Sequence, residues 1–557
     1  MSTETIYFAE PAYAAAEDRR RYEWLWIVIL AVAAAVPYLP TLGYGFVYDD
    51  LPQIVDNHDL SLRNVPGYFA KPIAKLVGFH DASQPVFYRP LFYSQLCLTR
   101  TIFGPGPFGF HLFSLLLHIG NTLLLYVIAV RLRVQQGAAY LAGMLFAVHP
   151  VHVESVVWPS ASPELMVLAA MLCSLIAFLT SGRTSSSGSA RNAWFALSLT
   201  AFLVGLFVKE TALVTVPLIA AIALLEPHCE TSVVRRLTTV LAPYLGVTLF
   251  YFFVRYRVLH GLVATVTPTS LWDMARTWPS VLWFYERHLV LPTHASLLYD
   301  YDLVPHATLA AFWVPLAAVL ATLAVAAFFL WRHRSSAVVI AILMVVLPIF
   351  LVLNFRVFYW GDLVHDRYLY TPSAGFCILA AMALSDLGCR LAQMIRPSVQ
   401  RFLAAGLLSA LALTTVAQAQ PWKNNLLLLL NAVEVAPGNI AGEILLGNEL
   451  ENRDQFVEAE ICYTRAVQLT PAWGPAWFAY GRMLLLTQDP KGAIQSLQHA
   501  VDLDDRPIAL VWLALAMDQG GRQQEAHSLL ARAVAQDPSM VQAYAVVQQK
   551  LIAETSP

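Results

Sequence analysis

Long apolar runs alternate with short polar connections over the first three quarters of the chain. They lie at about residues 24–40, 108–130, 138–150, 163–181, 193–208, 211–226, 237–257, 309–331, 337–356, 369–388 and 402–418. About 20 apolar residues suffice to cross a bilayer as a helix. The pattern therefore predicts an all-α, polytopic membrane helical bundle of about eleven spans within residues 24–420. The connections sort by charge. Alternate ones carry Arg19–Arg21, Arg131 and Arg133, Arg183 and Arg191, Arg235 and Arg236, Arg332 and Arg334, then Arg390, Arg396 and Arg401. Arginine collects on the cytoplasmic side. That predicts a cytoplasmic segment at 1–23, outer loops at about 41–107, 151–162, 258–308 and 357–368, and, from the odd count, an extracytoplasmic C-terminal region. The long polar leader and the many later spans make the first run an uncleaved signal-anchor helix rather than a cleaved signal. The first outer loop is longer than a connection needs. Its residues 91–103, apolar but short and interrupted by Arg100, predict a helix lying along the interface.

After Pro421 charge rises and a period appears. Ala432, Ala466, Ala500 and Ala533 are spaced 34, 34 and 33 residues, and Gly447, Gly481 and Ala514 keep the same beat. Small residues where helices cross, with Pro437, Pro471 and Pro538 at the turns, form the tetratricopeptide pattern. An α-solenoid of about three repeats is predicted over 421–557, a binding module without chemistry of its own. Trp473 and Trp477 are candidates to line a groove for an acceptor peptide. Trp477 suits an inter-repeat core equally well, because it shares a helix face with Leu510 one period on.

Composition agrees with a membrane protein. Of 557 residues 58% are hydrophobic and 13% charged, with mean hydropathy +0.57, too little charge for a soluble chain. A net charge of −2 without a basic stripe excludes nucleic acid as a partner. The six cysteines are scattered and support neither a disulfide framework nor a zinc site.

Against this background the polar clusters on the predicted outer face stand out. The adjacent pair Asp49 and Asp50 follows the first span; acids at a membrane boundary are costly to desolvate and invite a functional explanation. Arg89 lies later in the same loop. His149, His152 and Glu154 end the third span, Lys209 and Glu210 sit between two apolar runs, and His365, Asp366, Arg367 and Tyr368 precede the tenth. Lys209 and Glu210 could simply neutralise one another. Together, however, carboxylates, histidines, arginines and a lysine on one face suit an anionic phosphate leaving group and a nucleophile that needs a base. Zinc binding by His149, His152 and Glu154 is disfavoured. A metalloprotease helix spaces its histidines four apart with the acid between them, whereas here they are three apart across Pro150 with the acid outside.

The segments FVYDDLPQIVDN, YRPLFYSQLCLTRTIFGPGPFGFHLFSLLLHIGN, LFAVHPVHVESVVW, VKETALVTVP and DRYLYTPSAGF, in that order and followed by the repeats, resemble the transmembrane O-mannosyltransferases with tetratricopeptide repeats. That family lies within the membrane-embedded GT-C glycosyltransferase class. The resemblance implies transfer of a sugar, mannose in the eukaryotic members, from a polyprenyl-phosphate carrier to serine or threonine of a protein outside the cytoplasm, with inversion. It implies that Asp49 deprotonates the acceptor hydroxyl while Asp50 orients it or the acceptor, although the residues themselves allow either carboxylate as base. Arg367, with Arg89 and Lys209, would grip the donor phosphate; His149, His152, Glu154, Glu210, His365, Asp366 and Tyr368 would line the site in open roles. No cofactor or metal is expected, since the lipid phosphate is already a good leaving group. The short repeat array suggests a bacterial member, in the inner membrane with repeats in the periplasm; in a eukaryote they would face the endoplasmic reticulum lumen. Two other readings are a glycolipid or surface-polysaccharide acceptor, and a non-catalytic membrane scaffold presenting the repeats.

Overall fold

The computed structural model describes residues 23–71, 87–183, 188–225, 232–261, 269–293, 295–358 and 361–555. The basic leader Arg19–Arg21 lies outside them. Every described regular element is helical. The chain divides into two compact units, Met1–Ala295 with Asp302–Asn424, and Ser296–Tyr301 with Asn425–Pro557.

In the first unit eight described helices are long and apolar enough to cross a membrane: Trp24–Gly43, Pro107–Arg131, Pro159–Gly182, Gly188–Val208, Val233–Leu259, Leu309–His333, Asp366–Leu391 and Pro397–Lys423. A ninth is reached if Gln136–Val148 and Pro150–Val157, bent by 51° at His149, count as one span. The remaining two apolar runs form shorter helices, Glu210–Leu225 and Ser336–Val352. All eleven runs are thus helical, but only eight or nine meet the length of a span. The shortfall has local causes. Pro150 cannot continue the preceding ladder, and the helix Gly188–Val208 ends at the extended backbone of Lys209. The chain is an integral, multi-pass membrane protein.

The described part of the first long loop packs as a small layer of its own. Helix Pro90–Phe103 buries Phe92, Tyr93, Leu96 and Cys97 against Ile54, Leu60 and Tyr68. Its other side leaves Leu98, Ile102 and Phe103 exposed, the division expected of an interfacial helix. Arg100, which interrupts the apolar run, donates from Nη1 to the carbonyls of Ile54 and Asn57 at 3.3 and 3.2 Å. It is a tie between helix and loop.

The second unit is a series of helix pairs. Ile440–Glu451 pairs with Phe456–Leu469, Gly474–Leu486 with Pro490–Leu503, and Pro507–Gln519 with Gln523–Gln536, flanked by Asn425–Val435 and Met540–Thr555. The periodic small residues sit where partners cross. A Cβ on Gly447 would lie 2.5 Å from the Tyr463 ring, and one on Gly481 2.7 Å from the Leu497 side chain. Ser296–Tyr301 joins this unit: Asp300 Oδ2 accepts from Gly438 N at 3.1 Å, and Asn439 Nδ2 donates to Tyr299 O at 3.1 Å.

Candidate functional site

Beyond the first span the chain runs extended and then turns sharply at Tyr48, whose φ of 49° is a left-handed conformation that a bulky side chain adopts only when its surroundings hold it there. Asp50 is what holds it. Its Oδ2 accepts from Val47 N at 3.2 Å, and its Oδ1 accepts from both the backbone N–H and the hydroxyl of Ser160, at 2.9 and 2.5 Å. Asp50 is 0% exposed. The two adjacent carboxylates therefore differ in kind. Asp50 is a fully bonded strut, whereas the half-buried Asp49 carboxylate has no hydrogen bond or ion pair among the described residues. It lies within electrostatic reach of Arg367, Asp362, His365 and Arg89. Burial pushes Asp49 up to about 6, against the pull of Arg367. Burial likewise lifts Asp50 to about 7, opposed by its hydrogen bonds from Ser160 and Val47.

Arg367 lies in the short turn Asp366–Leu369 before a span. Glu154, wholly buried, accepts from Arg367 twice: Oε2 from the backbone N–H at 2.8 Å and Oε1 from Nη1 at 2.5 Å. The guanidinium also lies 5.2 Å from the Trp158 ring centre and 5.1 Å from that of Tyr368. A charge gripped at backbone and side chain, between two rings, is preorganised. His365 stands beside it, with Nε2 3.0 Å from Asp362 Oδ1 and Nδ1 3.9 Å from Glu154 Oε1. Burial would raise Asp362, but His365 and then Arg367 hold it below the usual carboxylate range.

The other cations divide clearly. Lys209 is paired with Glu164 and lies 5.1 Å from the Tyr368 ring centre. Glu210 is 3.5 Å from Arg255, whose Nη1 donates to Tyr251 Oη at 3.2 Å. As to the two readings of Lys209 and Glu210, each residue forms its ion pair with a different partner, although their charges still act on one another. Arg89 has no hydrogen bond or ion pair among the described residues, and its Nε is buried without a partner. Its guanidinium lies 4.5 Å from the Phe87 ring centre, within electrostatic reach of Asp49, Lys209 and Glu210. One cluster thus contains Asp49, Arg89, Lys209, Glu210, His365, Arg367 and Tyr368. Asp366 is buried at its edge, beside Tyr285.

His149 and His152 do not line this cluster. His149 has Nε2 3.0 Å from Leu289 O, and its Nδ1 accepts from Val151 N at 3.3 Å. His152 has Nε2 2.7 Å from Ser373 Oγ and lies among Phe146, His118 and Tyr370. The turn after Pro150 carries them into the bundle, and with Glu154 bound to Arg367 the three side chains point to three separate partners. Four residues bonded to or beside these side chains were missed by the sequence reading: Ser160, Glu164, Tyr285 and Asp362. Glu164 and Asp362 had a signal, a carboxylate on or beside a predicted outer loop; Ser160 and Tyr285 had none.

In the second unit Trp473 is 36% exposed at the start of its helix. Trp477 spends its indole N–H on Pro471 O at 2.8 Å and meets His499 edge-on at 4.7 Å.

No family model matches the chain. It is 26% identical over 469 residues to a protein O-mannosyl-transferase of Caenorhabditis elegans, covering 80% of this chain and 63% of the relative. It is 26% identical over 529 residues to the human protein O-mannosyl-transferase TMTC1, covering 83% and 57%. A 189-residue stretch is 35% identical to the Drosophila melanogaster protein O-mannosyl-transferase Tmtc2, covering 32% and 19%. The chain thus spans less than two thirds of each of these relatives. All three are animal proteins and lend no support to a bacterial origin. Among solved structures it is similar to ArnT from Cupriavidus metallidurans bound to undecaprenyl phosphate, at TM-score 0.39 and 15% identity over 89% of this chain and 78% of that one. It is also similar to the Archaeoglobus fulgidus oligosaccharyltransferase tethered to an acceptor peptide, at TM-score 0.39 and 11% identity over 79% and 59%.

Proposed function

We propose that this chain, a homologue of the protein O-mannosyl-transferases, is an inverting glycosyltransferase that moves a sugar, mannose by homology, from a polyprenyl-phosphate carrier to serine or threonine of a protein on the outer side of the membrane. One observation carries the reading. The Asp49 carboxylate, without a hydrogen bond or ion pair among the described residues, lies within electrostatic reach of a preorganised Arg367 and of Arg89, whose charge also acts on Glu210. A base beside fixed positive charge is what attack of a hydroxyl on a phosphate-activated anomeric carbon requires.

In the proposed step Asp49 takes the proton of the acceptor hydroxyl. The hydroxyl oxygen bonds to the anomeric carbon from the side opposite the phosphate. The bond from that carbon to the phosphate oxygen breaks, and its electron pair leaves on the polyprenyl phosphate. Arg89 and Arg367 receive the resulting anion, Arg367 in the orientation imposed by Glu154. Lys209 contributes charge through the Tyr368 side while compensated by Glu164. Asp50 takes no part in proton transfer, since its lone pairs already accept from Ser160 and Val47; it sets the turn. No metal is assigned to this step. The N-terminus is proposed to face the cytoplasm, and the helix pairs of the second unit, read as tetratricopeptide repeats, to lie outside and hold the acceptor polypeptide.

The test is sugar transfer by the purified full chain from a synthetic polyprenyl-phosphate mannose to serine- and threonine-containing peptides. Asp49→Asn is expected to lower kcat by about 10²–10⁴, the usual contribution of a general base. Full activity of that variant, or no transfer by the unmodified chain to any peptide, overturns the reading.

A further inference from the structure

The outer segment 258–308 offered no candidate residue in the sequence, yet its helix Leu271–Val290 packs against the turn that carries Arg367. The helix is two-sided. Leu271, Trp272 and Val290 are exposed, while Met274, Thr277, Val281, Phe284 and Tyr285 are buried. It is also anchored. Trp278 Nε1 donates to Leu353 O at 3.0 Å, and Thr277 Oγ1 accepts from Val304 N at 3.0 Å.

Tyr285 is 0% exposed, and its neighbours are Tyr368, the His365 backbone, Arg367 and Asp366. The His365 backbone N–H is directed at its phenol oxygen, whereas its O–H has no acceptor among the described residues. A buried O–H without an acceptor costs stability that a phenylalanine would not, and an acceptor arriving with the substrate would satisfy it. Burial also pushes the phenol well above its ordinary value, which keeps the O–H protonated and able to donate.

We propose that Tyr285 is a substrate-contacting residue whose O–H donates a hydrogen bond to a phosphate oxygen of the lipid-linked donor, beside Arg367. The inference rests on the reading above that this cluster receives the donor phosphate. A phosphate oxygen fits better than a neutral sugar hydroxyl because it accepts several donors at once and strengthens each bond by its charge.

The experiment compares the full chain with its Tyr285→Phe variant in detergent, using farnesyl phosphate and farnesol as probes, with binding read from intrinsic tryptophan fluorescence and melting temperature measured in parallel. The variant is expected to bind farnesyl phosphate about tenfold or more weakly, as loss of a hydrogen bond to a charged group implies. Its farnesol binding and melting temperature are expected to be unchanged, or the latter raised. Equal affinity of both proteins for farnesyl phosphate overturns the inference and leaves the donor reading standing. Equal loss of farnesol binding, or a lowered melting temperature, makes Tyr285 structural and overturns it too. Failure of the unmodified chain to bind farnesyl phosphate removes the donor reading itself.

Discussion

Ser160 gives Asp50 Oδ1 two hydrogen bonds, one from its backbone N–H at 2.9 Å and one from its hydroxyl at 2.5 Å. These join the first outer loop to the turn after Trp158, 110 residues away, and they separate the roles of two carboxylates that are neighbours in the chain. Asp50→Asn is expected to lower melting temperature and activity together, because an amide that turns its NH₂ toward Ser160 N–H cannot accept from it and leaves buried donors unpaired, at about 1–3 kcal/mol. Ser160→Ala should reproduce part of this loss and Ser160→Thr should restore it. An Asp50→Asn protein with unchanged melting temperature would contradict the strut.

Asp49 gives a pH prediction in two parts. With its carboxyl raised to about 6, kcat/KM should fall below an apparent pKa of about 6, since only the ionised form is a base. The folded-state value lies above the ordinary carboxylate value, so this group's favourable contribution to folding is present at low pH and lost as pH rises through about 6. Asp49→Asn should therefore melt higher than the unmodified chain at pH 7–8, with the difference closing toward pH 4. Melting curves across that range check the sign.

Arg89 and Lys209 should respond oppositely to neutralisation. Arg89→Gln breaks no ion pair among the described residues but removes the largest favourable charge acting on Glu210, so a small loss of folding stability should accompany a rise of about tenfold or more in the KM for the lipid donor, the loss of one charge-assisted contact. Lys209→Met strands the buried Glu164 carboxylate, and breaking a buried pair from one side costs about 3–5 kcal/mol. Its main signature should be poor folding. Donor titration and thermal unfolding of both variants separate the two cases.

Glu154→Gln is expected to impair transfer with donor bound. An amide has one carbonyl oxygen where the carboxylate offers Oε1 to Arg367 Nη1 and Oε2 to Arg367 N, so the guanidinium loses its fixed direction. A fall in kcat with little change in donor KM supports a positioning role. Unchanged kcat would show that Arg367 is held well enough by Trp158 and Tyr368.

Transfer is expected to persist in excess chelator, because Arg89 and Arg367 provide the positive charge that a metal would otherwise bring to the phosphate. Loss of activity that a divalent ion restores would refute this.

Much of the fold could be read from one dimension of the chain. The apolar runs, the 34-residue beat after Pro421 and the interfacial helix around Phe92 and Leu96 follow from local composition and period, which act within a few turns of backbone. Even the glycines at 447 and 481 announce close crossings, since only a missing Cβ admits the Tyr463 ring or Leu497. The sequence also singled out polar residues at helix ends that the fold brings into one cluster: Asp49, Arg89, Lys209 and Arg367 among them.

Pairing was decided only in three dimensions. Nothing local tells that Lys209 turns to Glu164 and Glu210 to Arg255, or that His149 is spent on a carbonyl 140 residues away. The same holds for the contrast within Asp49–Asp50, which depends on Ser160, and for Tyr285, an aromatic on an amphipathic helix like many others until its hydroxyl, without an acceptor among the described residues, is seen beside Arg367. Hydrophobic period is a property of consecutive residues and survives without a tertiary context. The charge state, orientation and availability of a buried polar group depend on the groups that the fold brings within a few ångströms of it.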